Sequence, residues 1–124
     1  MSPRTVLSTA ALALAAILML AAPATAGMSY KTSISMSKKF PAFHGTLHSP
    51  YTYCTQNRKV KVYREKNGPD KLLGSDVSES DGSWEADISN KLTSGAYYSS
   101  VAAKYSAEIG VTCQAAKSKL VTVD

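Results

Sequence analysis

Tyr30-Lys31-Thr32-Ser33-Ile34-Ser35-Met36-Ser37 decides the fold class, because its larger side chains return at every second position. Tyr30, Thr32, Ile34 and Met36 fall on one face, and Lys31, Ser33, Ser35 and Ser37 on the other. This is the pattern of a strand with one side on a core and one in water. Downstream, Phe40-Pro41 interrupts, and then Phe43, Gly45 and Leu47 alternate with His44, Thr46 and His48. Val60 and Val62 alternate with Lys59, Lys61 and Tyr63 before the turn residues Asn67-Gly68-Pro69-Asp70. Asp81-Gly82 marks another turn, with Trp84, Ala86 and Ile88 on one face beyond it. Gly95 opens a β-prone segment from Tyr97 to Tyr105, a turn near Glu108-Ile109-Gly110 precedes a strand at Cys113, and Leu120 to Val123 forms the last strand. No segment carries a helical period over a useful length, and there is no internal repeat. About seven short strands at regular intervals predict an all-β fold, a two-sheet antiparallel β-sandwich.

Upstream of these strands lies a segment of a different kind. Arg4 supplies a positive flank, Ala10 to Ala22 an uncharged apolar run, and Ala24-Thr25-Ala26 small residues at alternate positions. These are the three parts of a cleavable secretory signal peptide. The run is shorter than the roughly 20 apolar residues that span a bilayer, so no stable membrane span is expected. Residues 1–26 are therefore read as the signal, cleaved near Ala26-Gly27, and residues 27–124 as a single secreted domain. Removing 26 of the 124 residues leaves 98, enough for one domain with a thin core.

Cys54 and Cys113 both fall in this domain, and an even pair in an exported chain is expected to form a disulfide. Closing so long a loop is worth about 4 kcal/mol on the chain-entropy treatment. The formal charge of +5 falls to +4 with the loss of Arg4. Lys38-Lys39, Arg58-Lys59-Lys61 and Lys117-Lys119 are the basic clusters. A balance of this kind favours encounter with anionic polymers of the cell envelope. A nucleic-acid partner is not expected, since no binding motif accompanies the charge.

The order of several short motifs is informative. Gly45-Thr46-Leu47, Cys54, Arg58-Lys59-Val60-Lys61-Val62-Tyr63, Asp70-Lys71-Leu72-Leu73-Gly74-Ser75, Ser80-Asp81-Gly82-Ser83-Trp84-Glu85 and Ser94-Gly95-Ala96-Tyr97-Tyr98 follow one another. Across about residues 43–105 this order resembles secreted transthyretin-like domains and the related carboxypeptidase regulatory-like β-sandwiches. In those domains a V-x-V strand precedes a T-D-x-x-G-x-W/F turn and a later G-x-Y strand. The resemblance implies a β-sandwich backbone more than a site. The immunoglobulin pattern fits less well, because the position two before Cys113 is Val111, not tyrosine. Transthyretin relatives that hydrolyse a purine-degradation intermediate carry paired histidines, an arginine and a C-terminal Tyr-Arg-Gly-Ser, whereas this chain ends Val-Thr-Val-Asp. Their chemistry does not carry over.

Candidate chemistry is sparse. His44 and His48 share a strand face but stand about 13 Å apart, too far to chelate one ion. Asp76, Glu79, Asp81 and Asp87 lack the oxygen-ligand spacing of a calcium loop and read as turn and strand-edge residues. No Gly-x-Ser-x-Gly elbow or other nucleophile motif is present. No metal, cofactor or enzymatic activity is expected. What remains is binding by surface. Tyr51 and Tyr53, in the loop expected beside Cys54, suit a protein contact, and Arg58, Lys59 and Lys61 suit an anionic envelope polymer. The expectation is a secreted, non-catalytic binding or interaction module. The alternatives are a small transthyretin-related hydrolase and a secreted inhibitor of another protein.

Overall fold

The computed structural model describes residues 27–39, 42–88 and 92–124. The expected signal peptide, its cleavage site and the Phe40-Pro41 interruption lie outside these residues, Gly27 apart. The described chain is all-β. Its strands are β1 (Met28–Tyr30), β2 (Ser33–Lys39), β3 (Ala42–His48), β4 (Lys59–Arg64), β5 (Lys71–Val77), β6 (Ser83–Asp87), β7 (Gly95–Val101), β8 (Lys104–Ser106), β9 (Val111–Cys113), β10 (Ala116–Lys117) and β11 (Val121–Val123). One 3-10 turn, Thr52–Cys54, interrupts them. No helix among the described residues is long and apolar enough to cross a membrane.

The strands form three sheets. One is antiparallel in the order β2-β3-β6. The second runs β10-β7-β4-β5, with β11 also paired to β7, and is antiparallel throughout. The third is small, in the order β1-β9-β8, and its β1–β9 pair is parallel, with Met28 opposite Val111 and Tyr30 opposite Cys113. The strand count exceeds the expected seven because two expected strands are broken and two further strands, β5 and β10, were not foreseen. The Tyr30–Ser37 alternation spans both β1 and β2, and the Tyr97–Tyr105 run spans both β7 and β8.

The period of two places the core. Ile34 of β2, Phe43 and Leu47 of β3, and Trp84 and Ala86 of β6 point to the same cluster as Val60 and Val62 of β4, Tyr97 and Val101 of β7, and Val123 of β11. Phe43, Val60, Val62 and Ala86 are fully buried. At about 25 cal/mol per Å² of apolar surface removed from water, this cluster is the main driving term of the fold. Gly45 makes the packing possible. A Cβ there would stand 1.8 Å from the Ser35 carbonyl oxygen and 2.9 Å from the Trp84 ring, so only hydrogen fits beneath the indole. Gly82, in the expected Asp81-Gly82 turn, has φ of 88°, a left-handed conformation that glycine adopts without penalty.

A satellite cluster lies apart from this core. Cys54 and Cys113 are joined by a disulfide that spans 59 positions with Cα atoms 5.3 Å apart, as expected. Val111 is buried beside the bridge, and Tyr30, Tyr51 and Tyr53 pack against it. The small sheet and the 3-10 turn are thereby fastened to one another.

Candidate functional site

Strand β4 organises the surface that bears the expected basic site. With Val60 and Val62 on the core side, Lys59, Lys61 and Tyr63 must face outward. Lys61 is in register with Ser100 of β7, and Ser100 with Lys117 of β10, so the two lysines flank one serine across three strands. Lys59, Lys61, Tyr63, Ser100 and Lys117 line an open groove of about 600 Å³, with Ala102 and Ala115 also in its wall.

Arg58 does not belong to this surface. It shares the parity of Val60 and Val62, points inward and is 2 % exposed. Its guanidinium donates to Thr32 Oγ1 and the Cys54 carbonyl, both at 2.9 Å, and to the carbonyls of Ala102 at 2.7 Å and Gln114 at 3.0 Å. Its main chain is paired with Ser78, whose hydroxyl accepts from the Arg58 N–H at 3.0 Å and donates to the Thr55 carbonyl at 2.7 Å. Burial pulls its pKa below the ordinary arginine value. The expected contact residue is thus a buried clamp that ties Thr32, the Cys54 turn and the stretches after β7 and β9 together. Arginine suits this role because its planar fork serves several acceptors at once.

Tyr51 and Tyr53 are half-buried. Tyr51 stacks on Tyr30 with ring centroids 4.8 Å apart and lies 6.1 Å from the Tyr53 ring. Lys104 Nζ sits 3.9 Å from the Tyr53 ring centroid and donates to the carbonyls of Tyr53 and Gln56 at 3.4 and 3.3 Å. Both rings therefore cover the disulfide and pack against other side chains.

The end of the groove at Tyr63 continues into a second arrangement that sequence reasoning missed. Tyr63 stacks on Tyr98, its register partner on β7, at 5.4 Å and 20°. Lys117 Nζ lies 4.1 Å from the centroid of Tyr98 on the same outer surface. The Tyr98 hydroxyl donates to the carboxylate of Asp70, in the turn before β5. That hydrogen bond is the main reason the phenol is pushed up to about 12. It also leads the causes that hold Asp70 below its ordinary value, followed by the Lys66 N–H.

The histidines lie on the outer face of the three-stranded sheet. His44 Nε2 and the Ser37 hydroxyl share a hydrogen bond of 3.1 Å, while His44 Nδ1 is buried without a partner. His44 is in register with Glu85, forming a Ser37-His44-Glu85 row, but neither the groove described above nor a shallower one at His48 includes Ser37 or His44. Among the acidic residues weighed for calcium, Asp76 accepts from the Glu85 N–H at 2.8 Å and Asp81 accepts from the N–H and hydroxyl of Ser83 at 2.9 and 2.7 Å. Among the described residues no three or more His, Cys, Asp or Glu side chains gather as a metal site.

No family model matches the chain, and no curated protein matches it.

Proposed function

We propose that the chain is an exported, non-catalytic β-sandwich protein, of the transthyretin-like type that its motif order resembles, acting as a binding module for an anionic partner in the envelope or the medium. The observation that carries this reading is the convergence of Lys59, Lys61 and Lys117 on one open groove of the five-stranded sheet. Lys59 and Lys61 repel one another on one strand, the Asp70 carboxylate offsets only Lys117, and an anionic ligand supplies the missing counter-charge. The competing contact, the Tyr51–Tyr53 loop, draws less support because both rings are engaged over the disulfide. The shared inner cluster of the two larger sheets supports the sandwich reading. The buried, bridged cysteines suit an oxidising compartment.

Co-sedimentation of the purified protein with isolated cell envelopes at low and high salt tests this function. Retention is expected to fall as salt rises and to disappear in a Lys59→Ala, Lys61→Ala, Lys117→Ala variant, because exposed charges act over a Debye length of about 8–10 Å. Retention that ignores both salt and these lysines would refute the reading. The hydrolase alternative rests on the Ser37–His44 hydrogen bond. Turnover of ester or amide substrates that is lost in His44→Ala would favour it instead.

A further inference from the structure

We propose that the occupant of the groove on β4, β7 and β10 is an extended acidic saccharide, its sugar ring seated against Tyr63 and its acidic substituents held between Lys61 and Lys117 and beside Lys59. This rests on the reading of that groove as the binding surface and names its ligand class.

The placement of the charges comes first. Lys59 and Lys61 are two positions apart on one strand, about 7 Å, and Lys117 lies two strands from Lys61, about 10 Å. The cations are thus laid out along and across the sheet, a pattern that matches a chain with charges at intervals rather than one compact anion. The groove is open, so a polymer can enter from the side.

The kind of cation narrows the chemistry. Two-pronged recognition of one compact phosphate or carboxylate group uses the arginine fork. Both arginines of this region are turned to other work: Arg58 is buried on four acceptors, and Arg64 donates to the Ser94 carbonyl at 2.8 Å. The groove keeps only lysines, which act as hydrated point charges and suit single anionic groups set apart on a chain.

The aromatic end narrows it further. Tyr63 is fixed by its stack on Tyr98 and so presents a preset surface, apolar over the ring and polar at the hydroxyl, that matches a sugar ring with one apolar face and a rim of hydroxyls. Ser100 adds a hydroxyl between Lys61 and Lys117. Beyond Tyr98 stands the Asp70 carboxylate, which accepts from the Tyr98 hydroxyl and can accept from a sugar hydroxyl in the same way.

Affinity electrophoresis and calorimetry of the purified protein with polygalacturonate, its methyl ester, inorganic polyphosphate and polyglutamate test the proposal. Polygalacturonate should bind, its neutral methyl ester should not, and polyphosphate and polyglutamate should bind more weakly. Raising salt from roughly 50 to 500 mM should weaken binding about tenfold or more. Lys61→Ala with Lys117→Ala should weaken it about tenfold, whereas Lys31→Ala with Lys38→Ala, the same change in net charge on exposed sites elsewhere, should leave it within about twofold. Tyr63→Leu, with an unchanged thermal melt, should weaken polygalacturonate binding but not that of polyphosphate. Polyphosphate or polyglutamate binding through Lys61 and Lys117 as tightly as polygalacturonate would overturn the saccharide while leaving the groove in place. Polygalacturonate binding that both lysine pairs affect equally would overturn the groove, and no binding to any of the three polyanions would overturn both.

Discussion

Replacing Arg58 by methionine keeps an unbranched apolar stem in place and removes every donor of the clamp. Four acceptors then lose their partner. The two bonds to Thr32 Oγ1 and the Cys54 carbonyl are buried, while those to Ala102 and Gln114 are partly buried and their carbonyls can be taken over by water. An acceptor left unsatisfied in the interior costs about 1–3 kcal/mol, so the two buried ones together give about 2–6 kcal/mol. Relief of the desolvation of a buried guanidinium works the other way and holds the loss in the lower half of that range, about 2–4 kcal/mol. Lys59→Met, one residue along and exposed, should change stability by about 0.5 kcal/mol at most. Arg58→Lys should fall between, since an ammonium retains the charge but not the planar fork. Urea titration followed by the fluorescence of Trp84, the one tryptophan of the chain, reads all three variants. Equal midpoints for Arg58→Met and Lys59→Met would refute the clamp.

Three further outcomes follow from the packing and the charges. Removing the disulfide with Cys54→Ala and Cys113→Ala should lower stability by about 2–5 kcal/mol, read from denaturation midpoints, and thiol titration of the native protein should find no free thiol. Gly45→Ala should disrupt the β2-β3-β6 sheet, with loss of the near-ultraviolet signal of Trp84, whereas Gly68→Ala, where no atom lies within 4 Å of the added carbon, should be tolerated. The Tyr98–Asp70 hydrogen bond predicts pH dependence at both ends. A phenol raised from about 10 in the unfolded chain to about 12 stabilises the fold below pH 10, and that contribution is lost as pH rises through 10 to 12; a lowered carboxylate stabilises above the ordinary aspartate range and loses that contribution as pH falls below it. Melting temperature against pH should show both limbs, and Tyr98→Phe should flatten the alkaline one.

Much of the larger sheets was legible because alternation is a local signal. Phe43 and Leu47, Val60 and Val62, and Trp84, Ala86 and Ile88 are buried as their period requires. The same rule would have placed Arg58 inside, since it shares the parity of Val60; clustering by charge with Lys59 and Lys61 hid that. Lys117 was visible as a basic residue but not as a neighbour of Lys61, because the link runs through Ser100 and a two-residue strand. The small sheet was illegible for a related reason. Its strands are three residues long, too short for a period, and its parallel pair joins segments more than eighty positions apart. The tyrosines beside Cys54 read as exposed loop residues because nothing local announces that Tyr30 and the bridge lie beneath them.

The parallel pairing of β1 with β9 sets an order of assembly. Chain synthesis makes Met28–Tyr30 among the first of the described residues, yet their ladder partners are Val111–Cys113. Contacts of such high sequence separation form slowly, after shorter loops have closed. Until residue 113 is present, β1 has no edge to join, the Cys54 thiol has no partner, and Tyr30 has no bridge to cover. The β2-β3 and β4-β5 hairpins can form from nearby chain and the β3-β6 pairing spans less chain than the β1-β9 pairing, so the seam between the two ends is the step that completes the molecule. A chain cut short before Cys113 would keep those hairpins as an open, unfastened structure, exposed to proteolysis at the very segment with which it began.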